Sequence, residues 1–191
     1  MSLYDLKPKF REQLSGITYY LYKNNITPNQ ITSTAIILSV LYGIGMLFFP
    51  ILFLFFPFFV FFRMALNAID GLMASAYNMK SDLGFILNEV GDIVSDFFLF
   101  LPFCFYAPIY LFIPFIILTI LTELYGMAGL DISGKRNYQG PLGKSDRVFV
   151  FGIFALFIYF LGYIPFSFVF FLIINILLMF TIYNRIKANY V

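Results

Sequence analysis

Asp70, Glu89, Asp92 and Asp96, together with the amides Asn67 and Asn88, stand within one short stretch of a chain that is otherwise almost all hydrocarbon. Charged residues make up 12% of the sequence and hydrophobic residues 61%, and Phe alone fills 28 of 191 positions. A carboxylate at membrane depth costs at least ~2.5–3.5 kcal/mol on insertion scales, so several close together require a compensating role. The chain has no histidine, which removes imidazole as base, nucleophile or metal ligand. Oxygen chemistry remains. Asn67 and Asp70 are i,i+3 on one helix, while Asn88, Asp92 and Asp96 are i,i+4,i+8 on the next, so both rows can face a common cavity. Carboxylate and amide oxygens suit a hard cation, Mg2+ or Mn2+, rather than zinc, and such ions keep waters and bridge phosphates. A divalent ion would also relieve the mutual repulsion of the carboxylates. The plain alternative is a polar seam between helices, satisfied internally.

Helices must carry these side chains. Spanning a bilayer takes ~20 mainly apolar residues, and six such stretches are expected: about 32–49, 51–76, 83–106, 109–130, 148–163 and 166–183. The fold class is therefore an all-α membrane protein, a six-transmembrane-helix bundle forming a single domain over residues 1–191. Pro50, Pro108 and Pro165 punctuate three turns that carry no Lys or Arg. The loop-borne basic residues fall on the other side: Lys7, Lys9, Arg11, Lys23, Lys80, Lys135, Arg136, Lys144, Arg147, Arg185 and Lys187. This positive-inside bias places both termini in the cytoplasm. Arg63 alone lies inside an apolar run. Leu3, Leu6, Phe10, Leu14 and Ile17 share a helical face beside Lys7 and Arg11, which suits an N-terminal interfacial helix on the membrane surface. Thr27 followed by Pro28 reads as an N-cap and first helical position. Phe-rich sequence such as 53–62 reads as lipid-facing. Gly71, Ala74 and Gly84 would let the second and third helices approach closely or leave room for a flat ligand. The net charge of +2 gives no support for nucleic-acid binding.

The spacing of Asn67, Asp70, Gly71, Ala74, Ser75, Gly84, Asn88 and Asp92 resembles the D-x2-D-G-x2-A-R-x8-G-x3-D-x3-D signature of the CDP-alcohol phosphotransferase family. Every interval is kept, and Asp70, Gly71, Ala74, Gly84 and Asp92 keep the residue type. The flanking residues 63–67 and 87–92 resemble a bacterial branch with Asn at the first and third acidic positions. The resemblance implies a CDP-alcohol phosphatidyltransferase. Such an enzyme transfers a phosphatidyl group from a CDP-lipid, most simply CDP-diacylglycerol, to the hydroxyl of a small polar alcohol, releasing CMP in phospholipid biosynthesis. It implies a two-metal site of Mg2+ or Mn2+ held by Asn67, Asp70, Asn88 and Asp92, with Glu89 and Asp96 in support, and Asp92 as the catalytic base. Donor contacts are expected from Gly71, Ala74, Ser75 and Gly84, and from Asn29 and Thr32 at the start of the first span. Three departures stand out: Asn67 and Asn88 replace carboxylates, and Ser75 replaces an arginine. Members of the family are often homodimers, and the implied setting is the bacterial inner membrane with the active site facing the cytoplasm.

A second cluster, residues 134–147, holds Lys135, Arg136, Lys144 and Arg147 among glycines, a composition suited to phosphate. In the resembling family this place serves the acceptor's polar group, and a phosphorylated polyol such as glycerol 3-phosphate fits four cations. A basic loop on anionic lipid heads is the alternative. Glu123 could orient a basic residue or an acceptor hydroxyl. Two rival functions share the intramembrane acids: a cation-coupled transporter, and a non-catalytic lipid-binding relative with a degraded metal site.

Overall fold

A computed structural model describes residues 14–133, 136–162 and 164–190, without the side chains of Asp131, Ser133 and Tyr190. The regular structure of the described residues is helical, with no strand among them. The order is α1 (helical at 14–23), α2 (Pro28–Phe48), α3 (Ile51–Ala76), α4 (Asp82–Phe100), a 3-10 helix (Leu101–Tyr106), α5 (Ile109–Ser133), α6 (Lys144–Leu161) and α7 (Ser167–Tyr190). Among the described residues four helices are long and apolar enough to cross a membrane: α2, α3, and the stretches Ile109–Leu130 and Ser167–Asn189. The chain is an integral membrane protein. α4 and α6 lie on two further expected stretches, but α4 carries acidic residues along its length and α6 has Lys144, Asp146 and Arg147 in its first turn. The third stretch, expected as one helix over 83–106, changes to 3-10 geometry at Leu101, where Pro102 supplies no amide hydrogen.

Local sequence explains the boundaries. Thr27 and Gln30 form a reciprocal cap on α2: the Gln30 amide donates to Thr27 Oγ1 at 3.3 Å, and the Thr27 amide donates to Gln30 Oε1 at 2.8 Å. α3 ends where Asn78 adopts a left-handed φ of 54°, while the Met79 amide donates back to the Ala74 carbonyl at 3.0 Å. Ser81 then caps α4, its Oγ accepting the Gly84 amide at 3.0 Å.

The helices fall into two compact units, one formed by residues up to Leu41 with Phe61–Asp96, the other by Tyr42–Val60 with the chain from Phe97 onward. The first has a small core of Leu14, Ile31, Ile69 and Met73, beside which Tyr22 and Tyr77 stack at 4.0 Å. On α1, Leu14 and Thr18 are buried, but Ile17, expected on the apolar face, is 47% exposed. The buried positions follow an i,i+4 line, and Ile17 stands at the margin of that face. Leu3, Leu6, Lys7, Phe10 and Arg11 lie outside the described residues.

The second unit is built on aromatic rings. Phe53, Phe56, Phe100, Phe103, Phe115, Phe151, Phe154 and Phe171 are buried in one cluster, mostly edge to face; Phe53 meets Phe103 at 5.5 Å and 88°. The 53–62 run is therefore not wholly lipid-facing. Phe53, Phe56 and Val60 form an inward i,i+3,i+7 stripe, while Phe55, Phe58, Phe61 and Phe62 stay exposed. α5 lies along α7 in this unit. A Cβ on Gly43 would overlap the backbone carbonyl of Phe98, whereas one on Gly71, in the first unit, would meet nothing within 4 Å. Gly43→Ala is expected to cost ~1–3 kcal/mol by overpacking and to lower the unfolding temperature of the detergent-solubilised protein. Gly71→Ala is the control, leaving that temperature unchanged or slightly raised.

Candidate active site

α2, α3 and α4 of the first unit surround a cavity of about 320 Å3. Its wall includes Asn29 and Thr32 from α2, Asn67, Asp70, Gly71, Ala74 and Ser75 from α3, and Gly84 and Asn88 from α4. The expected donor-contact residues and three of the expected metal ligands thus share one space. The approach of α4 to α2 depends on Gly84. A Cβ there would stand 2.7 Å from Asn29 Oδ1, closer than real contacts allow, and a tight 3.1 Å from Ser81 Oγ, so a side chain would displace Asn29.

Asp70 is the acidic residue of this cavity among the described residues. It is only 5% exposed, and its Oδ2 accepts the Thr32 hydroxyl at 2.6 Å. Burying a carboxylate in hydrocarbon requires such donors. Asn67 and Asn88 add amide groups to the same wall, giving a hard, oxygen-rich lining of the kind that holds Mg2+ or Mn2+ with retained waters.

The other carboxylates look elsewhere. Asp92, Asp96 and Glu89 are 9%, 2% and 6% exposed and do not line the cavity. Arg63, 3% exposed, reaches from α3 to α4, with Nη1 donating to Asp96 Oδ1 at 2.6 Å and Nη2 to Asp92 Oδ1 at 3.0 Å. Asn67 Nδ2 donates to the same Asp92 oxygen at 2.9 Å, so Asn67 connects the cavity wall to the ion pair. No group of three His, Cys, Asp or Glu among the described residues is disposed to hold a metal together. The expected six-residue ligand set is thus divided between a cavity at Asp70 and a charge-paired pair at Asp92 and Asp96.

Met79, Lys80 and Ser81 also line the cavity. Nothing in their spacing singled them out. Their places follow from the Asn78 turn, which folds the chain back over the end of α3. Among the described residues Lys80 supplies the one basic side chain of the lining.

The second cluster belongs to the second unit. Glu123, on α5, accepts Arg147 Nη2 on Oε1 and Arg136 Nη2 on Oε2, both at 2.6 Å. Arg147 also donates to Thr122 Oγ1 at 3.0 Å. Its side chain is completely buried, because it belongs to the first turn of α6 and not to the loop. Arg136 is more open, its side chain 15% exposed. Lys144 starts α6 half-buried, and Lys135 lies outside the described residues. Arg185, not singled out from the sequence, is 2% exposed and donates to the carbonyls of Gln139 and Thr122. Asn137 Nδ2 bonds the Arg185 carbonyl and Asn189 Oδ1, and the Leu142 amide bonds Thr181 Oγ1 at 3.0 Å. The loop is pinned to α7 by these bonds.

The fold recurs in solved structures. Mycobacterium tuberculosis phosphatidylinositol phosphate synthase (PgsA1) in complex with manganese and citrate matches with a TM-score of 0.74 at 17% identity, over 93% of this chain and 88% of that one. The same synthase with CDP-DAG bound gives 0.75 at 17% identity over 93% of each chain. At that identity the likeness establishes the helical architecture. No family model matches the sequence. Inner membrane protein YnbA of Escherichia coli (strain K12) is 42% identical over 193 residues, 98% of this chain and 96% of the relative. The chain belongs to the YnbA family.

Removing one partner of a buried ion pair typically costs ~3–5 kcal/mol. Glu123→Gln, which strands the buried Arg147, is expected to lower the unfolding temperature in detergent far more than Tyr138→Ala, at an exposed position. Equal shifts would deny Glu123 its organising role.

Proposed function

We propose that the chain is a CDP-alcohol phosphatidyltransferase of the branch with Asn at the first and third acidic positions. In this reading it moves a phosphatidyl group from a CDP-lipid to the hydroxyl of a small polar alcohol and releases CMP. One observation carries this: residues assigned to the donor by the motif and by the start of the first span line a single cavity with Asp70, Asn67 and Asn88. The likeness in fold to a synthase solved with manganese and with CDP-DAG supports it. The reading includes six membrane spans in one functional domain, cytoplasmic termini and a cytoplasm-facing site, supported by the one-sided placement of basic residues.

Asp70, Asn67 and Asn88 would hold Mg2+ or Mn2+, which when bound supplies charge neutralisation to a diphosphate. The remaining chemistry falls to the chain. Gly71, Ala74 and Gly84, without bulk, admit the nucleotide, while Asn29 and Thr32 fix it from α2. Ser75 provides no charge where the family signature has arginine, and Lys80 takes the phosphate charge in its place. The acceptor oxygen attacks phosphorus, the new P–O ester forms as the bond to CMP breaks, and the hydroxyl proton passes to Asp92. Arg63 and Asn67 hold that carboxylate in one orientation. Arg136 and Lys144, with Lys135, bind the acceptor's polar or phosphorylated group, and Arg147 acts through Glu123 to position Arg136.

The ion pairing of Asp92 and Asp96 also favours a second reading, a relative that binds CDP-lipid without turnover. Purified protein given CDP-diacylglycerol, Mn2+ and a panel of polyols and their phosphates separates the two. Metal-dependent CMP release supports the transferase; donor binding without release supports the second reading. Asp70→Asn should reduce release by on the order of 100-fold, the scale of losing one electrostatic group at a reacting centre, and chelation of the metal should abolish it. Lys80→Ala should raise the donor KM about tenfold with kcat retained, equivalent to ~1.4 kcal/mol of lost phosphate binding. An unchanged KM would remove Lys80 from the donor site.

A further inference from the structure

We infer that the Arg63 guanidinium stands in for the second metal ion that a two-metal site would place at Asp92, so that each chain binds one divalent cation, at Asp70. The inference deepens the transferase reading and rests on its cation site. Arg63 is the only buried Lys or Arg of the first unit among the described residues, set against four buried carboxylates. It bridges two of them, Asp92 and Asp96, by short contacts from separate nitrogens. A guanidinium keeps its proton across the whole physiological range, so this positive charge is permanent. At 3% exposure it has no route to water without unpacking α3 from α4.

The orientation of Asn67 points the same way. Its Nδ2 hydrogens face Asp92 Oδ1, and an amide nitrogen turned toward a carboxylate cannot present its oxygen to an ion lodged between the two. The described partners of Asp92 Oδ1 and Asp96 Oδ1 are N–H donors. At Asp70 the surroundings differ. Asp70 accepts the neutral Thr32 hydroxyl, and among the described residues Lys80 is the basic one lining that cavity. One carboxylate with two amides suits one hard divalent ion that keeps several waters. The replacement of carboxylates by Asn67 and Asn88 and the placing of Arg63 across Asp92 and Asp96 then belong together. Fewer negative charges face the cavity, and Asp92 and Asp96 share one guanidinium supplied by the protein itself.

The experiment is a Mn2+ titration of the purified full chain in detergent, following the loss of the free-ion electron paramagnetic resonance signal, with CMP release measured on the same samples. One ion per chain is expected for the unaltered protein, none for Asp70→Asn, and two for Arg63→Met, which opens Asp92 and Asp96. Arg63→Lys keeps the charge and should keep one. Should Arg63→Met fail to fold, Asp96→Asn serves: one ion is expected there as in the parent, whereas a metal held by Asp96 would be lost or weakened at least tenfold. Two ions on the unaltered protein would overturn the inference while leaving the transferase reading intact. No bound ion would overturn both. One ion on both the unaltered protein and a folded Arg63→Met would also overturn it.

Discussion

A carboxylate surrounded by hydrocarbon must be given a partner, and in the first unit the partners described come from neighbouring helices. Thr32 reaches Asp70 from α2, and Arg63 reaches Asp92 and Asp96 from α3. Each bond joins two helices at a depth where water is scarce, so separating them exposes a charge as well as apolar surface. The polar contacts thus fix which faces meet, a role that apolar contacts between helices in lipid perform poorly. The small core of Leu14, Ile31, Ile69 and Met73 fills the remaining space.

The second unit solves the same problem differently. Its interior is largely interlocked phenyl rings, and its buried charge is gathered around Glu123. One carboxylate there takes two arginines, while Arg185 satisfies itself on backbone carbonyls. The loop between α5 and α6 is held by side chains of α7, including Thr181 and Asn189. Gly140, at a φ of 129° and close against Thr181, has a backbone that other residues adopt poorly.

Much of this was legible in the residues. Apolar runs and prolines located the helices because length and turn chemistry act locally. Thr27 and Pro28 foretold the start of α2 because capping needs only neighbours. The interval pattern from Asn67 to Asn88 marked the cavity because helical periodicity puts those positions on facing surfaces. Other features depend on pairings distant in sequence. Arg63 was visible as an oddity inside an apolar run, but its two acids lie on another helix and their choice of partner could not be read from spacing. Arg147 and Arg136 read alike as loop cations, yet the first turn of α6 buries one and leaves the other partly open. The run at 53–62 is apolar on every side, so periodicity gave no hint that Phe53 and Phe56 face inward. Lys80 entered the cavity wall through the left-handed step at Asn78, a backbone detail with only a weak signature.

The capped starts of α2 and α4 have an electrical consequence. Pro28, Asn29 and Thr32 belong to the first turns of one helix, and Ser81, Gly84 and Phe85 to the cap and first turn of another, and all border the same cavity. Each helix carries the equivalent of about half a positive charge at its amino end, and such ends attract anions through their outward-pointing amides. Two of these partial charges converge on a space that, among the described residues, holds a single lysine. The backbone therefore supplies a positive field that no substitution of a side chain can delete.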